Sequence, residues 1–514
     1  MRLLFLLFVI SVFNSQAQSI FSRSYTAFGA PGKFIRLNSG EIFISGGGNY
    51  NALLIKTDSS ANLIWGWEYW RPHDGTSIFD LIENDSDILI AGSTYDTVNA
   101  NPGTYRFKCL LANIDTATGN ITNSIIFGNA AFPNYEDNIY KIIKSSDGKF
   151  IAVGTTGEAY SPVDSIRALL LKFDANLNII WANYFSCGLE CSFGDLKESP
   201  DGNLYITGYV LDSIDTYDND AILVKADSAG NILWSKRYDS PGNEVVARTI
   251  LLDDSKIYLS GGIIHWSLPL FFSSFICELD TSGNLIWFNR YTKNAIFTIG
   301  KLFKRNSNEF VLYSSEYLCI VDSTGTIING KIISPTVQHI LNTGDNGLMA
   351  TSQGGMRLQK FDSLYNACST SNTSYSFNSA NNISVLSNSL IQQTFVPEYK
   401  GQLYQSAISA FDSIHCQTST LISEQSLFSE NTVSIIFPNP VSEILPISIL
   451  RNTQDKENYK LKIINMTGSE VLSKEILLTG NETEITLNLD FLPPGFYLIG
   501  FNEINSTYKK IIKF

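Results

Sequence analysis

The sequence predicts an all-β chain: a seven-bladed β-propeller followed by a small C-terminal immunoglobulin-like β-sandwich. Three observations predict it. A strand–turn–strand unit, clearest in Ala221–Tyr238 (AILVKADSAGNILWSKRY), recurs along most of the 514 residues. The last copy lacks a strand that the first residues of the mature chain can supply. The final stretch changes to alternating strands parted by Thr-Gly, Gly-Asn and Pro-Pro-Gly turns.

The start, MRLLFLLFVISVFNSQAQS, reads as a signal peptide over residues 1–17, with Arg2, an apolar run Leu3–Phe13 and a small-x-small site at Ser15-Gln16-Ala17. That run is shorter than the about 20 residues a spanning helix needs. No Cys follows it, so a lipoprotein is not expected, and no later stretch reads as a transmembrane segment. The net charge of −13 repels phosphate backbones and argues against a nucleic-acid partner. Export permits disulfides. Cys187 is close enough to Cys191 to pair across a loop, and Cys368 with Cys416 could staple a later linker. Half a metal site is the rival for Cys187 and Cys191, but no further ligands lie near. Cys277 and Cys319 fall inside apolar runs and read as buried thiols.

In each repeat Val, Ile, Leu and Trp favour strands, and the Asp/Ser/Gly/Asn cluster favours the turn. Seven third strands end at Asp58, Asp115, Asp174, Asp227, Asp280, Asp322 and Asp362, spaced 40 to 59 residues apart, which marks a repeat architecture. A second strand precedes each, such as DILIAG (Asp87–Gly92) or NLYITG (Asn203–Gly208), and before it another short strand and a polar turn. Fourth strands follow: LIWGWEY, ITNSIIF, IIWANYF, ILWSKRY, LIWFNRY and TIINGKI. The seventh unit has none, and Ser19–Tyr25 (SIFSRSY) matches ILWSKRY. A ring over residues 18–367, closed by its own first strand, accounts for this. An open solenoid is the competing architecture and would not need the swap. Stacked blades bury both faces of their inner strands, so those strands read as nearly continuous apolar runs. Lys236, Arg237 and Arg290 on the outer strands discourage edge pairing. Trp65, Trp181, Trp234 and Trp287 recur at one position and read as packing between blades. Residues 368–430, rich in Ser, Asn, Thr and Gln, read as a linker with some extended strand.

The segment 431–514 reads as the small sandwich. Its landmarks are Pro438-Asn439-Pro440, Asn465-x-x-Gly468, Leu492-Pro-x-Gly495 with Tyr497, and the closing basic-apolar strand Lys509-Lys-Ile-Ile-Lys513. In this order they resemble the type A C-terminal sorting domain of the type IX secretion system. Pro446 makes the strand after Pro440 less regular than is usual in that family. The resemblance implies the type IX machinery as a partner. It also implies removal of the tail by a peptidase, and a protein secreted from, or displayed on the outer membrane of, a Gram-negative bacterium. An ordinary adhesive sandwich is the alternative.

His73, His265, His339 and His415 are scattered, without a paired spacing for a metal. No GxSxG, P-loop, HExxH or EF-hand pattern occurs, and no cofactor is implied. Asp215, Asp218 and Asp220 lack the spacing and Gly of a calcium loop and read as a solvated acidic loop. The connections between second and third strands are long in units two to five. Equivalent loops leave one face of a propeller, where they gather Tyr95, Tyr160, Tyr217 and Trp266, with Tyr105, beside Asp96, Glu158, Asp164, Asp212 and Asp215. Aromatics with acidic acceptors suit a glycan or a protein ligand. The plainer reading is that these loops only cover the ring. A non-catalytic binding scaffold is thus set against two rivals. One is a glycan-active hydrolase or lyase with a central acid pair, the other a purely structural surface protein.

Overall fold

The computed structural model describes residues 18–513 except 26–29, 49–50, 72–74, 98–104, 131–135, 159–164, 188, 212–218, 241–242, 266–270, 292–299, 315–316, 333–336, 344–346, 353–355, 363–383, 388–390, 395–396, 400–403, 408–411, 421–432, 437–443, 452–456, 466–468, 479–481 and 502–508. The signal-peptide residues lie outside this set. Every regular element among the described residues is a strand, and the sheets are antiparallel, with the make-up of propeller blades.

The repeat begins at its turn. Asp227 Oδ1 accepts the backbone N–H groups of Ala229 (2.9 Å) and Asn231 (2.8 Å), and Oδ2 accepts the Asn231 amide (2.9 Å). This closes a tight loop whose fourth residue, Gly230, has φ of 83°, a region glycine enters without strain. Asp58, Asp174 and Asp280 bind their own loops in the same way. The turn is strong enough to hold Ala61 and Leu177 at positive φ.

Seven sheets follow in chain order among the described residues. Their first strands are Ala30–Arg36, Gly75–Asn84, Asn138–Lys144, Glu190–Glu198, Asn243–Asp253, Lys301–Lys304 and Val337–Asn342. Sheets 1 to 6 add three meandering neighbours each. Sheet 7 has only two of its own and takes Gln18–Tyr25 as its fourth strand, with Phe21 opposite Lys360 and Tyr25 opposite Met356. Each sheet shares a buried apolar core with the next, and sheet 7 shares one with sheet 1: Phe21, Tyr25, Met349 and Leu358 pack with Phe34, Ile44 and Ile55. The packing order is therefore cyclic. First strands of neighbouring sheets touch, and so line the middle of the ring.

Fourth-strand tyrosines tie the sheets together. Tyr69, Tyr238 and Tyr291 each donate a hydroxyl to the carbonyl of the positive-φ glycine in the next sheet's turn, at 2.6 to 2.8 Å. Tyr25 does the same to Ala61, at 2.7 Å, across the closure. The recurrent tryptophans pack here too. A Cβ on Gly230, Gly283 or Gly325 would lie 2.7 to 2.9 Å from the ring of Trp181, Trp234 or Trp287.

Beyond Asp362 the described strands up to Thr420 pair with the ring. Ser384–Ser387 pairs with the outer strand of sheet 4, Ile391–Thr394 with sheet 3, Pro397–Tyr399 with sheet 2 and Tyr404–Ala407 with sheet 1. Asp412–Thr420 then joins sheet 7 beside Gln18–Tyr25. The segment read as a linker thus adds a fifth strand to five sheets, visiting them in reverse order. The charged outer edge at Lys236 and Arg237 accepts this partner, because its own carboxylate answers the charge: Arg237 pairs with Asp220 at 2.5 Å.

The second unit is the tail. Val433–Ile436, Ile444–Arg451 and Glu482–Asn488 form one sheet. Glu470–Leu478, Glu457–Asn465, Gly495–Phe501 and Lys509–Lys513 form another. Leu445, Ile447 and Leu487 of the first meet Leu461, Ile463, Ile476 and Ile499 of the second in one core. Pro446 sits inside its strand opposite Thr486, beyond the pairing of Val433–Ile436, which reaches only to Ser448.

Candidate functional site

The second strands carry a glycine at one register in sheets 1 to 5 (Gly46, Gly92, Gly154, Gly208 and Gly261), and the structure gives the reason. A Cβ on Gly92, Gly154, Gly208 or Gly261 would lie 1.8 to 1.9 Å from a first-strand carbonyl. The first strand bulges inward just beyond that contact, between Ile78 and Asp80, Ile139 and Lys141, Phe193 and Asp195, and Ala247 and Thr249. A bulge re-aims the side chains around it. One residue per sheet is thereby placed at an equivalent point: Lys33, Asp80, Lys141, Asp195, Thr249, Lys301 and His339.

These groups meet across the ring. Asp80, almost fully buried, pairs with Lys33 of sheet 1 and with Lys141 of sheet 3 (3.1 Å), and accepts the Ile142 N–H at 2.9 Å. Burial would raise its pKa, but the Lys141 and Lys33 charges overcome this and hold it at about 2. Asp195 accepts the N–H groups of Leu196 and Ile250, both at 3.0 Å, and so ties sheet 4 to sheet 5. Burial, then the charges of Lys33, Lys301 and Lys141, push His339 well below the usual histidine range. Its ring stands edge-on to Phe34 at 5.3 Å.

Above this floor lie the bulge residues themselves. Phe79 of sheet 2 touches Tyr140 of sheet 3 (5.5 Å between centroids), and Arg248 projects from sheet 5. At that point sheet 4 has Gly194, where a Cβ would meet only the Thr207 carbonyl at 3.9 Å. Four residues earlier on sheets 3, 4 and 5 stand Glu136, Glu190 and Glu244, with Glu244 buried and bonded to Asn219. Tyr209 is pushed up to about 12 by burial first and then by Glu190, with Tyr140, Arg248 and Glu136 also acting on it. Glu136, Tyr140, Glu190, Tyr209 and Arg248 therefore gather at one mouth. Beside it burial raises Asp137 to about 7, although Thr156 (2.5 Å) and the Asn129 N–H (3.0 Å) donate to it.

Of the aromatic loop residues expected as a site, Tyr95 and Tyr105 are described. Tyr105 opens the strand Tyr105–Asp115, opposite Thr97. Tyr95 lies near the end of the strand Asp87–Thr97, half-buried, 5.7 Å from Phe107 and resting on Gly75. Tyr160, Tyr217 and Trp266 lie outside the described residues, as do Pro438, Asn439, Pro440, Gly468 and Cys368. The connections that carry Tyr160, Tyr217 and Trp266 follow the C-terminal ends of second strands, which pair with the N-terminal ends of the first strands. The mouth thus opens on the long-loop face. Asp220, read as part of a solvated acidic loop, is buried. Cys187 and Cys191 are disulfide-bonded, and Cys416 lies in the strand Asp412–Thr420. Cys277 and Cys319 are free and buried. In the tail, Gly495 opens the strand Gly495–Phe501, Tyr497 donates to the Pro493 carbonyl at 2.7 Å, and buried Lys513 donates to the carbonyls of Leu489 and Leu492. Among the described residues no three metal-ligating side chains gather.

The floor and mouth were missed in the sequence, though a signal was present. Aligned on their glycines, the first strands read PGKF, IFDL, IYKI, FGDL, ARTI and, in the last two sheets, GKLF and QHIL. An alternation of Lys and Asp within apolar strands is visible there.

Comparison with known proteins bears on the tail. Residues 435–513 match the family model described as Secretion system C-terminal sorting domain. No curated protein matches the chain. Distant likenesses occur among solved structures. A luciferin-regenerating enzyme is 9% identical over 66% of this chain and 94% of its own, with a TM-score of 0.33. Apo prolyl oligopeptidase B from Galerina marginata is 13% identical over 84% of this chain, with a TM-score of 0.39, and the chain spans 56% of that protein's length. Latent PorU from Porphyromonas gingivalis is 11% identical over 96% of this chain and 33% of its own, with a TM-score of 0.16.

Proposed function

We propose that this chain, which carries the type IX C-terminal sorting domain and is secreted or displayed on the surface of a Gram-negative bacterium, is a non-catalytic binding scaffold. In this reading the seven sheets are the blades of one closed propeller, and the tail is an immunoglobulin-like sandwich that engages the export machinery. Ligand is held on the face where the long connections of sheets 2 to 5 leave. The observation that carries the reading is the convergence, on that same face, of Glu136, Tyr140, Glu190, Tyr209 and Arg248 from three successive sheets. Mixed aromatic, acidic and cationic groups in a concave mouth suit recognition of a polar ligand. The carboxyls of the floor are engaged in ways that favour binding over acid–base work. Asp80 is held ionised by two lysines and Asp195 caps two backbone N–H groups.

The test is binding of the purified chain to immobilised polysaccharides and surface proteins, with Tyr160→Ala, Tyr217→Ala and Trp266→Ala combined. Loss of at least ten-fold in affinity is expected, without change in the melting temperature. An unaltered panel would remove the loop face from the reading.

A further inference from the structure

We propose that the floor of the mouth is an anion site, taking a single carboxylate or phosphate group of the ligand against Lys301, with Arg248 beside it. The proposal rests on the binding reading above and names the chemistry of what enters.

Three observations carry it. First, the acids of the floor are already engaged. Asp80 is shared between Lys33, Lys141 and the Ile142 N–H, and Asp195 holds two backbone N–H groups. Both stand on sheets 2 and 4. Sheets 5, 6, 7 and 1 place Thr249, Lys301, His339 and Lys33 at the equivalent points, with Arg248 beside Thr249 and no carboxylate among them. Second, among the described residues no carboxylate lies within salt-bridge distance of Lys301. Its ammonium reaches the Gln338 carbonyl, at 3.5 Å. The side chain is open to solvent, yet the ring encloses it closely enough that burial, and then Arg248, push its pKa down. An ammonium ion held close to other cations is stabilised by any anion that joins it. Third, His339 cannot neutralise this arc. Its Nδ1 is buried without a partner, and it stays uncharged between Lys33 and Lys301.

The rim sets the limit on what may pass. Glu136, Glu190 and Glu244 repeat at one position on three sheets, and like charges there oppose a polyanion. One anionic group on an otherwise neutral polar ligand meets both conditions.

The experiment titrates the full exported chain with sodium glucuronate and, separately, with inorganic phosphate, by calorimetry at low ionic strength. Saturable binding of one or both is expected, which also tells the carboxylate source from the phosphate source. Lys301→Gln should weaken it at least ten-fold and Lys301→Arg should retain it, both with wild-type melting temperatures. If Lys301→Gln does not fold, Lys301→Arg together with a rise in affinity as salt is lowered still tests the charge. Binding equal to wild type in Lys301→Gln, or no binding of either anion at millimolar concentration, overturns the proposal. Loss of macromolecular ligand in the loop variants while Lys301→Gln binds that ligand normally would retain the loop face and reject the anion site. Anion binding lost in Lys301→Gln, with no response to the loop variants, would do the reverse.

Discussion

At the scale of single residues, the repeat depends on where a side chain is forbidden and where a carboxylate is needed. Gly154 faces a backbone carbonyl at a distance no Cβ tolerates, whereas Gly148 has positive φ but nothing within 4 Å. Gly154→Ala should therefore cost about 3 kcal/mol by overpacking, and Gly148→Ala about 1 kcal/mol from its left-handed backbone alone. Urea midpoints of the two variants test the difference. The turn aspartates make a second prediction. Burial works against the Asp227 carboxylate, but hydrogen bonds from Asn231 and Ala229 hold its pKa below the usual value, and Asp58, Asp280 and Asp322 are held low in the same way. A depressed folded-state carboxyl pKa gives stability that is present above the unfolded value of about 3.9 and is lost as pH falls through the folded one. His265 adds to this from above. Burial lowers it to about 4, and its ring nitrogens contact Asn243 and Ser273. The unfolded histidine titrates near 6.5, so stability declines as pH falls from there to about 4. The melting temperature should drop in two stages on acidification, and His265→Gln should shrink the upper one, which buried His339 shares.

At the scale of the element, the fourth strand does more than end a sheet. Its tyrosine reaches the next sheet's turn, and its tryptophan fills the space over that turn's glycine. Tyr25→Phe removes the Ala61 bond at the closure and should cost about 1 kcal/mol, checked by chemical denaturation. Deleting residues 18–25 removes the whole strand and leaves Met356–Phe361 as a bare edge. Such a chain should unfold without cooperativity or aggregate. Both elements were legible in the sequence, because SIFSRSY keeps the spacing and the tyrosine of ILWSKRY. The outer strands at residues 384–420 were legible only as composition. A strand that pairs by backbone alone onto a finished sheet needs no apolar period, so Ser, Asn and Gln serve it as well as Val or Ile. The floor was hidden for another reason. A bulge shifts the inward residue by one place, which conceals the Lys–Asp alternation from any count in twos.

At the scale of the whole chain, the ring carries its own outer wrapping over sheets 1 to 4 and sheet 7. Removing residues 384–407 should leave the cyclic core folded, lower the melting temperature, and speed amide exchange in Ile232–Asp239 and Leu63–Trp70. Leu285–Tyr291 of sheet 5, which has no fifth strand among the described residues, should exchange as before. Equal exchange in both groups would mean that the wrapping does not protect the edges it pairs with.

The wrapping also decides what a pull on the tail would meet. Its final strand lies hydrogen-bonded beside the very strand that shuts the ring. Along the chain, a tether fixed to the sorting domain therefore reaches, within the ring, the strand Asp412–Thr420 first. A cut between residues 421 and 432 would drop that load to zero and leave every fastening in place. Mechanical strength of the ring would then belong to two neighbouring strands, and single-molecule extension from the C-terminus should find the ring's own first yield point there.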